Sequence, residues 1–278
     1  MFNAITKTLT VVALGAAAVL GGCGNSDKEG SAQLLAQSET AVAQSRYTDA
    51  LALLVTLNAR YPKQTEFRRE ALGVRAKAME GIALDSISAG DAALAEATLR
   101  VENLRPGFRH VDSSVGLDGY FLPKGVDEKV LGGNAVQGRV TDKGYFYLVA
   151  NVQRSIGLRS VALVDGSERV ETASLDPARV VKVGGAETAS FSPEDIAALG
   201  PWLEGHSGAS KAVLQGTKGN VTIKLDGKLR KELLDCYNFA CALQAQRLAS
   251  VHREKYERML ATARDQMSNL IQAPDNAQ

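Results

Sequence analysis

The spacing of apolar residues changes character several times along this chain, and the changes mark its parts. From residue 32 to about 105 the repeat is helical. Leu34, Leu35, Ala41 and Val42 give a first helix, interrupted near Ser45-Arg46-Tyr47-Thr48-Asp49. Ala50, Leu51, Leu53, Leu54 and Leu57 give a second, with Thr48 or Asp49 as its N-cap and Tyr61-Pro62 as its stop. Phe67, Ala71, Leu72, Val74, Ala78, Met79, Ile82 and Leu84 predict a third, from about Glu66 to Ser88. Ala89-Gly90-Asp91 is expected to break it. Asp91 would then cap a fourth helix carrying Ala92, Leu94, Ala95, Ala97, Leu99, Val101 and Leu104.

At Arg105-Pro106-Gly107 the pattern dissolves. Residues 107–134 are rich in glycine and read as a connecting segment with at most one short strand. Alternation and short apolar runs then predict strands at Ala135–Val140, Ser160–Val164, Arg169–Thr172 and Arg179–Val183. Tyr145 to Val152 is the strongest of them. It is apolar on both faces and should lie centrally, covered on both sides. Ser192 as N-cap, Pro193 and Asp195 announce a short helix that buries Ile196, Ala197, Leu199, Trp202 and Leu203. Lys211–Gln215 and Asn220–Leu225 pair as a hairpin across residues 216–219.

From Lys228 to Ala273 there is neither glycine nor proline, which predicts one long helix. Its stripe runs through Leu229, Leu233, Cys236, Ala240 and Leu243. It slips register around residues 244–247 and resumes through Val251, Tyr256, Leu260, Ala263, Met267 and Leu270. So narrow a stripe suits packing on the chain's own body, and a coiled coil joining chains into an oligomer is the second use. The expected fold class is α+β: N-terminal helical hairpins, a central, mainly antiparallel β domain with a short helix, and a long C-terminal helix.

The start of the chain has a separate logic. Lys7 is followed by a small, apolar run from Leu9 to Leu20, the layout of a secretory signal. The run is shorter than the ~20 residues a permanent membrane span needs. Leu20-Gly21-Gly22-Cys23 closes it and resembles the lipobox of bacterial lipoproteins. The resemblance implies removal of residues 1–22 and a diacylglyceryl thioether on Cys23, with further acylation such as palmitate. It implies lipid anchoring in the bacterial cell envelope, at the outer membrane, facing periplasm or surface. Polar residues 23–31 would form a flexible tether, and Asp27-Lys28-Glu29 loosely resembles a surface-export signal of Bacteroidota lipoproteins.

Residues 32–106 carry a second resemblance. Tyr47, Ala50, Leu54, Leu57 and Pro62 stand at the spacing of a tetratricopeptide unit's second helix and stop, and residues 89–95 resemble its turn. Ala50 to Ala95 spans 45 residues, longer than that repeat's ~34, so the region resembles a hairpin pair of tetratricopeptide type and no regular array. The expected division is signal peptide 1–22, tether 23–31, helical region 32–106, β-rich domain 107–227, long helix 228–272 and tail 273–278. In outline this resembles uncharacterised envelope lipoproteins of Bacteroidota.

Composition narrows the chemistry. The chain has 32 Lys+Arg and 31 Asp+Glu, and Lys7 is the only charged residue before Cys23, so the mature chain is neutral. That removes the basic footprint non-specific nucleic-acid binding requires. Cys236 and Cys241 lie five apart, about 140° around a helix, so they are expected as thiols and not as a disulfide. His110, His206 and His252 are far apart in sequence, and no zinc, phosphate-loop or dinucleotide motif occurs, so no metal or cofactor is expected. Gly205-His206-Ser207-Gly208-Ala209 nearly reads as a hydrolase elbow but lacks the preceding strand and following helix. Tyr145 and Tyr147, and Tyr47 in the helical region, are the candidate partner-binding aromatics. The expected function is a non-enzymatic binding or scaffolding module for a protein or glycan; the alternative is an envelope hydrolase with its site at His206 and Ser207.

Overall fold

The structure, a computed structural model, describes residues 25–112, 119–129 and 132–272. The expected signal segment, the lipobox-like Leu20-Gly21-Gly22-Cys23 and the expected tail 273–278 lie outside the described residues. The architecture is α+β, with N-terminal helices, antiparallel sheets and a long C-terminal helix. The described residues form two compact units, one of those up to Leu84 and from Met259 onward, the other of those between Asp85 and Arg258. The dividing points fall inside helices α3 (Thr65–Leu104) and α5 (Gly227–Gln272), not at Arg105-Pro106-Gly107 or Lys228. What each helical segment buries decides this: Ala71 and Val74 belong to a helical cluster, Val101 and Leu233 to the β core.

The first unit holds α1 (Asn25–Ala43), α2 (Tyr47–Arg60) and the parts of α3 and α5 outside 85–258. Residues 25–31, expected as flexible tether, are instead the opening turns of α1. Small size, not flexibility, is what Gly30 and Ser31 supply. Ser31 is fully buried and donates to the Lys28 carbonyl at 2.9 Å, and a Cβ at Gly30 would run into the Tyr61 hydroxyl. Neither Thr48 nor Asp49 caps α2. The helix begins earlier, at Tyr47, behind Arg46, and Asp49 pairs with Arg46 at 3.1 Å. Leu35, Leu54, Leu57, Ala71 and Val74 form the larger of this unit's two apolar clusters, and Ala41, Ala50 and Ala78 the smaller.

In the second unit α3 passes through Ala89-Gly90-Asp91 without the expected break. Gly90 is buried and lies against α5, where a Cβ would be 3.7 Å from His252 Nδ1 and 3.8 Å from Arg253. Asp91 pairs with Arg253 Nε at 2.8 Å and caps nothing. Leu99, expected in the stripe, is 58% exposed.

Residues 107–134 contribute two strands, not one: β1 (Phe108–Val111) and β2 (Tyr120–Pro123). With β3 (Ala135–Thr141), β4 (Phe146–Val152), β7 (Val180–Val183) and β8 (Ala186–Phe191) they make an antiparallel sheet ordered β1-β2-β3-β4-β8-β7. A second antiparallel sheet is ordered β10-β9-β5-β6, from β5 (Leu158–Asp165), β6 (Glu168–Glu171), β9 (Lys211–Gly216) and β10 (Gly219–Lys224). Strand β8 has no counterpart among the expected elements. The Ser192 backbone donates to Asp195 Oδ2 at 2.7 Å as a capping box requires. Residues 193–198 nevertheless form turns, and helix α4 is Leu199–Gly205, with Ala197 exposed.

Inner faces of both sheets, α4 and α5 share one core. Phe239 of α5 stacks on Phe108 at 4.4 Å and meets Phe121 edge-on at 5.3 Å. Gly138 and Gly200 let α5 approach, against Leu233 and Cys236 and against the Tyr237 ring respectively. Strand β4 is central and nearly all buried, as its sequence requires. On its second side, residues 124–129 and 132–134 form a strap held by side chains of the sheet. Arg109, Gln137, Arg139 and Asn151 donate to the carbonyls of Val126, Asp127, Glu128 and Gly133 at 3.2, 2.6, 3.0 and 2.6 Å.

Candidate functional site

Tyr147 stands on the strap side of β4, opposite Arg139 of β3. Tyr120 of β2 meets the Tyr147 ring edge-on at 6.4 Å, and the Arg139 guanidinium lies 4.5 Å from the Tyr120 ring centre. Burial raises both phenol pKa values above the ordinary tyrosine range, against the lowering influence of Arg139. Tyr145 sits at the turn just before β4 and is 40% exposed. The result is an aromatic and cationic patch, Tyr120, Arg139 and Tyr147, with Tyr145 beside it in sequence. Two stacked or edge-on rings beside a guanidinium can take an apolar sugar face or a peptide aromatic. Tyr120 and Arg139 escaped sequence reasoning because they lie on other strands and meet Tyr147 only through sheet register. Tyr47 does not belong to this patch. Its ring, half-buried in the first unit, covers Gly81 so closely that a Cβ there would overlap it.

The loop after α4 is organised around His206. Its ring stacks on Trp202 at 4.1 Å between centres and 9° between planes. Nδ1 is bonded to the Trp202 carbonyl at 2.8 Å and Nε2 to Glu168 Oε2 at 2.6 Å. The Glu168 bond, then the Trp202 carbonyl, raise the His206 pKa above the usual histidine range. Both ring nitrogens are therefore occupied, and among the described residues no hydrogen bond joins Ser207 to an imidazole. Ser207 is exposed. His110 is bonded to Asp142 at 2.7 Å and Asp112 at 3.0 Å, and His252 lies against Tyr256, so the three histidines do not converge. Among the described residues no group of three or more His, Cys, Asp or Glu is arranged to hold a metal ion. Cys236 and Cys241 are free thiols; burial pushes the Cys236 thiol pKa far up, which keeps it protonated and unreactive.

One buried charge was not legible beforehand. Glu187 of β8 has no exposed surface, yet its carboxylate accepts from Ser155 Oγ at 2.7 Å, Leu158 N at 2.8 Å and Ile156 N at 3.2 Å. Burial pushes its pKa up, but the backbone and hydroxyl donors outweigh that and hold it below the usual glutamate range. Glu187 thereby fixes the crossing from β4 to β5, where the chain passes between sheets. Comparison of the chain with known protein families, curated proteins and solved structures finds no match. Among the described residues no helix is long and apolar enough to cross a membrane.

Proposed function

We propose that this chain is an envelope lipoprotein, anchored through Cys23, that acts as a non-enzymatic binding or scaffolding module for a protein or glycan partner. The observation that carries the reading is the apolar run ending in Leu20-Gly21-Gly22-Cys23, with helix α1 opening at Asn25. Only Gly24 stands between an acylated Cys23 and a helix, so anchoring would hold the helical unit at the bilayer surface instead of on a long tether. The Tyr120, Arg139 and Tyr147 patch supplies recognition chemistry, and the occupied nitrogens of His206 support a binding role over hydrolysis at Ser207. The helix pair α1 and α2, which resembles a tetratricopeptide hairpin in residue spacing alone, would suit a scaffold.

The test joins anchoring and recognition. Cells expressing wild type and Cys23→Ser are fed labelled palmitate, and a photo-crosslinking residue replaces Tyr145 in each. Label and membrane fractionation should appear in wild type alone, together with one discrete crosslinked species. Wild type without label, or turnover of a cell-wall or lipid substrate that Ser207→Ala abolishes, would overturn the reading.

A further inference from the structure

The second unit has a cleft of about 150 Å³ that the aromatic patch and the His206 loop do not use. Gly157, Leu158 and Arg159 line it at the start of β5, Val180 and Lys182 from β7, and Thr217 and Lys218 from the β9–β10 turn. Three of these side chains are cationic and none is a carboxylate. They come from three separate stretches of sequence, β5 and the β9–β10 turn in one sheet and β7 in the other.

The cations are held in different ways. Arg159 donates through Nη1 to the Leu175 carbonyl at 2.6 Å, which fixes the guanidinium plane and leaves its other donors for a ligand. Lys182 is 3.9 Å from Glu187 Oε1, whose oxygens already take three shorter bonds from Ser155, Ile156 and Leu158. Lys218 is exposed at the turn, and its backbone N–H donates to the Ile156 carbonyl at 2.8 Å. Gly157 has a φ of +66°, and a Cβ there would strike the Thr217 hydroxyl, so Thr217 packs directly on the backbone at Gly157. Three positive side chains against one buried carboxylate leave an excess of two positive charges. A planar Arg fork with two lysine point charges is the usual donor set for a tetrahedral oxyanion. The volume equals that of about five liquid waters, enough for a phosphoryl group with little else.

We infer that the cleft lined by Arg159, Lys182, Thr217 and Lys218 binds a phosphate dianion, free or as the monoester group of a larger molecule whose remainder lies outside. The inference is independent of the anchoring reading and goes beyond it.

The test titrates the full-length chain, in detergent, with inorganic phosphate and separately with glycerol 3-phosphate, followed by calorimetry at low ionic strength. Saturable binding of one equivalent is expected for at least one of them. Lys182→Gln with Lys218→Gln, two exposed positions, should weaken it about tenfold or more, while Lys63→Gln in the first unit leaves it unchanged. Tighter binding of the ester identifies a group on a larger molecule, and equal or tighter binding of inorganic phosphate identifies the free ion. No saturable binding of either, or equal affinity in the double variant with unchanged circular dichroism, overturns the site.

Discussion

In the helical unit, beside a leucine-rich cluster, the closest approaches are made where side chains are small. Gly30 admits the Tyr61 hydroxyl, Gly81 admits the Tyr47 ring, and Ala41, Ala50 and Ala78 form a cluster of their own. In the β unit, large side chains meet large side chains, with Phe239 between Phe108 and Phe121, and a fully buried glutamate pins the crossing between sheets. The first arrangement brings backbones close and buries little per contact; the second removes much apolar area from water. Small-residue packing therefore depends on shape, and the aromatic core on volume. The two should fail differently when altered.

The largest effect should come from Phe239→Ala. It deletes a fully buried ring from the middle of the β core, and such truncations cost about 3–5 kcal/mol. Hydrogen exchange should show the loss in amides of β1, β2 and α5 near residue 239, with α1 and α2 unaffected. Equal acceleration in α1 and α2 would mean that the contrast between the two regions has no energetic content.

Glu187→Gln should come next, at about 1–3 kcal/mol at neutral pH. An amide can keep both backbone N–H bonds on one oxygen and turn its NH2 to Ser155 Oγ, but all three bonds lose the added strength a carboxylate gives them. The sign with pH follows from the lowered pKa. The folded state holds its proton less tightly than the unfolded chain. Glu187 therefore adds stability above the unfolded carboxylate value of about 4.3, and the contribution is lost as pH falls through the folded value. Urea unfolding of wild type and variant should differ most at pH 7 and converge in acid. A constant gap across that range would mean that packing, not charge, accounts for the difference.

How much of this was readable beforehand follows the same divide. Elements with a strong period were legible: α5, the central strand β4, and the β9–β10 hairpin, whose register Gly216↔Gly219 places Thr217 and Lys218 at the turn. Strand β8 was not, because Ala186-Glu187-Thr188-Ala189-Ser190 has hardly any of the branched apolar residues that mark strands. Its buried carboxylate is tolerated only through donors from the β4–β5 crossing. Phe239 falls beside the stripe that Leu229, Leu233, Cys236, Ala240 and Leu243 define, so periodicity does not mark it as core. Gly90 and Gly30 were read by local propensity, as a breaker and as part of a linker, whereas tertiary contacts use them for close approach. Of the candidate sites, Tyr145 and Tyr147 were visible as an alternating aromatic run. Tyr120 and Arg139 were not, since only strand pairing joins them, nor were the cations of the phosphate cleft, which come from two different sheets.

The smallest effect is the sharpest test of the helical unit. Gly81→Ala adds one methyl, improves intrinsic helix propensity by about 1 kcal/mol, and should by that measure stabilise α3. The structure says otherwise, because the added Cβ would occupy the Tyr47 ring. Tyr47 is held at the start of α2 and its ring is half-buried, so the overlap has to be relieved by turning the ring out or moving α2, at about 1–3 kcal/mol. The two contributions oppose, and a net destabilisation of about 1 kcal/mol is expected, read as faster amide exchange in α2 and the facing part of α3. The double variant Gly81→Ala with Tyr47→Ala separates them. With the ring gone, the same methyl should become neutral or favourable relative to Tyr47→Ala alone. If it remains equally unfavourable, the position is constrained by something other than that ring, and shape complementarity at small residues is not what holds this unit together.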